Sequence, residues 1–212
     1  AIERQIPGAR YVAMVRNPVE MAYALHEQMH AARMEHVEDF GAAWRLSPLR
    51  RQRRAVRPWV IEPRRLDYQA VCRLGEQMRR LTESADRARI LTLVMDDLRQ
   101  DPGREYRKVL DFLGVADDGR TDFSVINPAK RVRSQLLQSL LTIVKKGQVV
   151  ARAKLHMPAA DSQVLQQLYA LNTAPRPRTP LPADLKEEIK QYFAEDVRLL
   201  SEVLQRDLGH WL

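Results

Sequence analysis

Arginine and lysine dominate the residues of this chain that could do chemistry, and they are unevenly spread. Between Arg45 and Arg65 stand eight arginines (45, 50, 51, 53, 54, 57, 64 and 65) against one acid, Glu62. Between Phe123 and Ala160 stand Lys130, Arg131, Arg133, Lys145, Lys146, Arg152 and Lys154, with no acid at all. A solvated face normally mixes signs, so a run this long without a carboxylate points to an anionic ligand. Its densest part is Asn127-Pro128-Ala129-Lys130-Arg131-Val132-Arg133-Ser134. A turn feeding a helix there would gather free N–H groups and three cationic side chains, an arrangement that suits phosphate. Arg16-Asn17-Pro18 is the third basic position, set where an apolar run gives way to a helical pattern.

Other chemistries find less support. The five histidines (26, 30, 36, 156 and 210) make one close pair, His26/His30 at i, i+4, with no acidic pattern to complete it, so no metal site is expected. No serine sits in a Gly-x-Ser-x-Gly elbow. Cys72 is the single cysteine, which excludes an internal disulfide, suits a reducing compartment and reads as core packing. The net charge of +8 by itself admits nucleic acid, a membrane surface or a phosphorylated or sulfated ligand. Nucleic acid is disfavoured because aromatics are only 6% of the chain and Phe123 is alone in the 123–160 stretch, leaving little for base stacking. A nucleic-acid-binding helical protein therefore rests on charge alone. No apolar run approaches the roughly 18 residues needed to cross a bilayer.

The elements that would position these residues are readable. Tyr11-Val12-Ala13-Met14-Val15 is a short apolar run suited to a strand buried on both faces. A helical pattern follows, with Val19, Ala22, Tyr23 and His26 on one face. Ile90 to Met95 forms a second strand candidate, preceded by a helical stretch from about Leu66 to Ser84. Asp101-Pro102 opens another helix as N-cap and first residue, and Gly114 stops it. A long amphipathic helix is expected from about Ala183 to Arg206, with Trp211 docking behind it. Strand, tight turn and helix is the unit of an α/β fold, although two strands are little sheet for a doubly wound domain. The alternative is a mostly α protein with two buried apolar segments.

Several of these pieces, in this order, resemble the sulfotransferases that use 3′-phosphoadenosine-5′-phosphosulfate (PAPS), especially bacterial members and the heparan-sulfate branch. Val12 to Tyr23 is similar to their 3′-phosphate-binding strand–turn–helix, and Leu66-Asp67-Tyr68 to a substrate-side segment. Ile90 to Pro102, Tyr106 to Val115 and Asn127 to Ser134 are similar to the second strand, the helix after it and the basic cofactor loop. The resemblance implies one domain over residues 1–212, a partial P-loop-type three-layer α/β fold with a small parallel sheet and many flanking helices. It implies a cytoplasmic bacterial enzyme that moves a sulfuryl group from PAPS to an acceptor hydroxyl or amine on a small molecule or glycan.

Site residues follow from the same resemblance. Arg16 would pair with the 3′-phosphate, the alternative being a salt bridge to a helix acid. Ala24 stands where the family has a phosphate-binding serine. Lys130 and Arg131 match the Lys-Gly of the cofactor loop, Arg133 stands at an adenine-stacking tyrosine, and Arg176 corresponds to a further cofactor-contacting basic residue. Asp67, Tyr68 and His26 fall on the acceptor side. The Gly-rich loop that holds the phosphosulfate, together with the general base, would lie before Ala1, since the eight glycines form no such loop. A nucleotide- or polyanion-binding module of the same fold, without transfer activity, is the second expectation.

Overall fold

The computed structural model describes the chain except residues 1, 59, 61, 125–129, 133, 135, 138, 139, 142, 145–162 and 176–178. At 130–132, 163 and 173–175 it describes the backbone alone. The residues form two compact units: unit 1 is Ala1–Phe123 with Leu181–Leu212, and unit 2 is Ser124–Pro180.

Unit 1 is built on a parallel pair, β1 (Tyr11–Val15) and β2 (Ile90–Val94), in the register Tyr11↔Ile90 to Val15↔Val94. A short α1 (Ile2–Gln5) precedes β1. On one face of the pair Val15 and Val94 are buried, while Val12 and Met14 on the other face of β1 are exposed. Helix α2 (Pro18–Ala31) leaves β1 after two residues. Its start is fixed locally, because the Asn17 side-chain oxygen accepts the Val19 N–H and Pro18 occupies the first turn. Ala22, His26 and Met29 are its buried stripe.

The segment from α2 to β2 holds α3 (Phe40–Arg45), α4 (Ser47–Arg51), a 3-10 turn (Pro63–Leu66), α5 (Tyr68–Val71) and α6 (Leu74–Ser84). The single helix expected from Leu66 to Ser84 is thus broken at Cys72-Arg73. Asp67 caps α5 by accepting the Ala70 N–H. Asp196 caps α6 from a distant part of the chain, accepting the Gly75 and Glu76 N–H groups at 2.9 and 3.0 Å. A long-range cap of this kind leaves no local signal in the sequence.

After β2 come α7 (Met95–Gln100) and α8 (Pro102–Leu113). Asp101 caps α8 by accepting the Arg104 N–H, and Gly114 closes it at φ 70°, both as expected. The last helix of unit 1 is α11 (Ala183–Leu204), since helices α9 and α10 belong to unit 2. It lays Leu185, Ile189, Phe193, Val197 and Leu200 into the core shared with Val15, Val19, Trp44, Leu66, Tyr68 and Trp211. It crosses α6 so closely that a Cβ on Gly75 would lie 2.2 Å from the Asp196 carbonyl oxygen.

Unit 2 contains an antiparallel pair, β3 (Lys130–Val132) with β4 (Thr173–Pro175), absent from the sequence reading. Between them lie α9, with helical backbone at 136, 137, 140, 141, 143 and 144, and α10 (Gln163–Leu171). The buried Asn172 clasps the chain across the unit. Its side-chain oxygen accepts the Ser134 N–H at 2.9 Å and its amide donates to the Ser134 carbonyl at 3.0 Å. The Ser134 hydroxyl then accepts the Leu137 N–H, starting α9.

Candidate functional site

In open α/β sheets, ligands collect beyond the carboxyl ends of the strands. Here those ends are Arg16-Asn17 and Asp96-Asp97, brought side by side by the β1–β2 register. Arg16 donates to Glu20 at 3.0 Å, the helix-acid salt bridge that composition allows. Glu20 also accepts from Arg99 at 2.7 Å, and these guanidinium contacts, Arg99 first, hold its carboxyl below the ordinary range. The Glu20 bridge leaves Arg16 incompletely satisfied. Its Nε is buried and has no hydrogen-bond partner, a costly state for a cationic donor.

The chain's last residues close the other side of this cluster. Trp211, almost fully buried, donates its indole N–H to Asp96 at 2.7 Å, and His210 Nε2 lies 3.0 Å from the same oxygen. Burial pushes the Asp96 carboxyl upward, and the bonds from His210 and Trp211 outweigh it, so it ends below its usual value. Asn17 donates to the Trp211 carbonyl at 3.4 Å, and Arg206 grips Asp97 with both of its terminal nitrogens. The expected docking of Trp211 is therefore present. Asp96, Arg99 and His210, which the sequence reading did not single out, belong to this cluster. Their signal would have been the acids at the end of the second strand.

Ala24 lies half-buried on α2. His26 is buried, with Nε2 2.9 Å from the Val37 carbonyl and Nδ1 unpartnered. Desolvation holds its pKa below the ordinary imidazole value. Tyr68 is buried and donates its hydroxyl to Glu35 at 2.7 Å. Asp67 is buried too, and Arg51 Nε reaches it at 2.8 Å. Glu35 ties this region together, because Arg50 grips both of its oxygens and the His36 and Val37 N–H groups bond to one. Burial lifts the Glu35 carboxyl, and these donors more than reverse the effect. Burial also pushes the Cys72 thiol up to about 12, in keeping with a packed, unreactive side chain.

Of the basic loop, Lys130 and Arg131 lie on β3, described by backbone alone, while Arg133 and Arg176 lie outside the described residues. Among the described residues, no group of three or more His, Cys, Asp or Glu side chains is arranged to hold a metal.

No family model and no curated protein matches the chain. Among solved structures, it is similar to the crystal structure of a sulfotransferase from Alicyclobacillus acidocaldarius, with a TM-score of 0.64 at 20% identity. The likeness covers 99% of this chain and 60% of that one, so the chain spans about three-fifths of its neighbour's length. With its parallel β1–β2 pair flanked by helices, the chain has a sulfotransferase-like α/β fold.

Proposed function

We propose that this chain is one sulfotransferase-like domain carrying the 3′-phosphate and adenosine side of a PAPS site, serving sulfuryl transfer to an acceptor hydroxyl or amine. The observation that carries the reading is the buried, unpartnered Nε of Arg16 at the carboxyl end of β1. A guanidinium with a spare donor at a strand-to-helix turn fits a phosphate, whose oxygens match its planar fork. Glu20 does not bar the ligand, because Arg99 can keep that carboxylate while Arg16 turns to the phosphate.

When bound, PAPS supplies an activated sulfuryl group, and transfer depends on positioning and charge neutralisation, as in phosphoryl transfer. In this reading Arg16 holds the 3′-phosphate, and Lys130, Arg131 and Arg133 hold the adenosine side, with Arg176 as a further cationic contact. Ala24 leaves the phosphate without the hydroxyl that the family's serine supplies. Asp67, Tyr68 and His26 shape the acceptor side, for a small molecule or a glycan. Tyr68 and His26 do so as buried supports of the segment around Glu35 and Val37.

The test is calorimetric titration with adenosine 3′,5′-bisphosphate. Arg16→Ala should weaken binding about 10- to 100-fold, the loss of one charge-assisted contact. Ala24→Ser should tighten it by up to ~10-fold. Unchanged affinity in Arg16→Ala removes the reading. The second reading, a nucleotide-binding module without transfer, is favoured by Ala24. It predicts bisphosphate binding with no consumption of PAPS.

A further inference from the structure

The chain's whole net charge lies in one unit. Unit 2, residues 124–180, has nine basic residues and a single acid, Asp161. The remainder has 26 of each sign, so unit 2 accounts for all of the +8. The nucleotide site proposed above uses only Lys130, Arg131, Arg133 and Arg176 of that excess. Lys145, Lys146, Arg152, Lys154 and Arg178 have no role in it.

The same unit exposes apolar helix faces. On α9, Leu136, Leu140, Ile143 and Val144 fall at i, i+4, i+7 and i+8, one face of a helix. They are 80%, 61%, 66% and 47% exposed. Leu141, on another side of the helix, is buried. A soluble surface helix is polar where it meets water, whereas α9 is apolar inward and outward alike. Helix α10 repeats the pattern with Val164, Leu168 and Leu171, all exposed, at the same spacing.

Charge decides what fits these faces. A second copy of the chain would bring one +8 unit against another. Nucleic acid would answer the charge but not the aliphatic faces, and Tyr169 is the unit's single aromatic residue for base stacking. An anionic bilayer answers both, since acyl chains receive leucine and isoleucine while phosphate headgroups meet lysine and arginine. No helix among the described residues is long and apolar enough to cross a membrane, so the fit is to a helix lying in the interface. We infer that unit 2 docks the protein on the surface of a membrane rich in anionic lipid, through the outward faces of α9 and α10.

Vesicle co-sedimentation of the full chain tests this. The lipids are phosphatidylcholine alone, or phosphatidylcholine with about one-quarter phosphatidylserine. The protein should pellet with the anionic vesicles, remain free of the neutral ones, and be released at ~1 M salt, where the Debye length is ~3 Å. The double variant Leu140→Asp, Ile143→Asp should lower anionic-vesicle binding at least ~10-fold. Its helical circular dichroism and melting should stay as in the parent, because both positions are exposed. Val164→Asp with Leu171→Asp checks α10 separately. Equal binding to both vesicle types, or to neither, would overturn the inference. So would a parent that self-associates by light scattering and becomes monomeric in these variants, which would make the faces a contact between copies.

Discussion

Unit 1 and unit 2 use arginine and lysine in opposite ways. Unit 1 is electrically balanced, and its arginines are ties: Arg50 to Glu35, Arg51 to Asp67, Arg206 to Asp97, Arg45 to Glu188. Unit 2 has one acid to set against nine cations, and its described hydrophobic residues are largely exposed. Basic charge inside a web of carboxylates is architecture. Charge without carboxylates, in a unit that also exposes leucine, suits an anionic partner, and residue count alone does not separate the two cases.

The largest effect should come from cutting a tie in unit 1. Glu35→Gln leaves the Arg50 guanidinium buried without its counter-ion, and should cost about 3–5 kcal/mol in urea unfolding. A loss under about 1 kcal/mol would mean that Arg50 finds water, and that unit 1 depends little on its buried ion pairs. Gly75→Ala comes next. Its methyl meets the Asp196 carbonyl at 2.2 Å, so α6 and α11 must separate, at about 1–3 kcal/mol.

Asn172→Ala should act on unit 2, at about 1–2 kcal/mol, by leaving the Ser134 backbone groups unsatisfied. Hydrogen exchange should quicken at the Ser134 amide while amides of β1 and β2 keep their protection. Equal loosening of both would erase the distinction between the units.

The smallest effect is a pH response in unit 1. Burial depresses the folded pKa of His26 below its unfolded value of about 6.5. The unfolded chain therefore binds the extra proton first. The stability contributed by neutral His26 is complete above about pH 6.5 and declines as pH falls toward the lower folded value. His26→Gln should flatten that slope in melts taken between about pH 5 and 7.

The sequence announced elements whose cues are local. β1 is a five-residue apolar run, α2 begins at Asn17-Pro18, and α8 lies between Asp101-Pro102 and Gly114. It missed whatever depends on residues far apart. The eight arginines from 45 to 65 look like one basic face because Glu62 is the single acid among them. The partners of Arg45, Arg50 and Arg51 come from Glu188, Glu35 and Asp67. Arg50 is among the most deeply buried side chains in the protein. The break at Cys72-Arg73 was hidden likewise, because α6 takes its cap from Asp196. At the candidate site Arg16 and Trp211 were legible, one from the strand exit and the other as an apolar anchor. Their meeting around Asp96 was not, since it joins residues over one hundred positions apart.

The Asn172–Ser134 clasp has a consequence for how this protein can vary. Together with the β3–β4 pair, it ties off a neck that holds together the two ends of the stretch carrying α9 and α10. Lengthening a flexible connection between such held ends is thermodynamically mild, with each doubling of its length adding only ~0.6 kcal/mol of closure entropy. Relatives can therefore be expected to lengthen or shorten this stretch freely, provided that an amide side chain keeps the knot at its base.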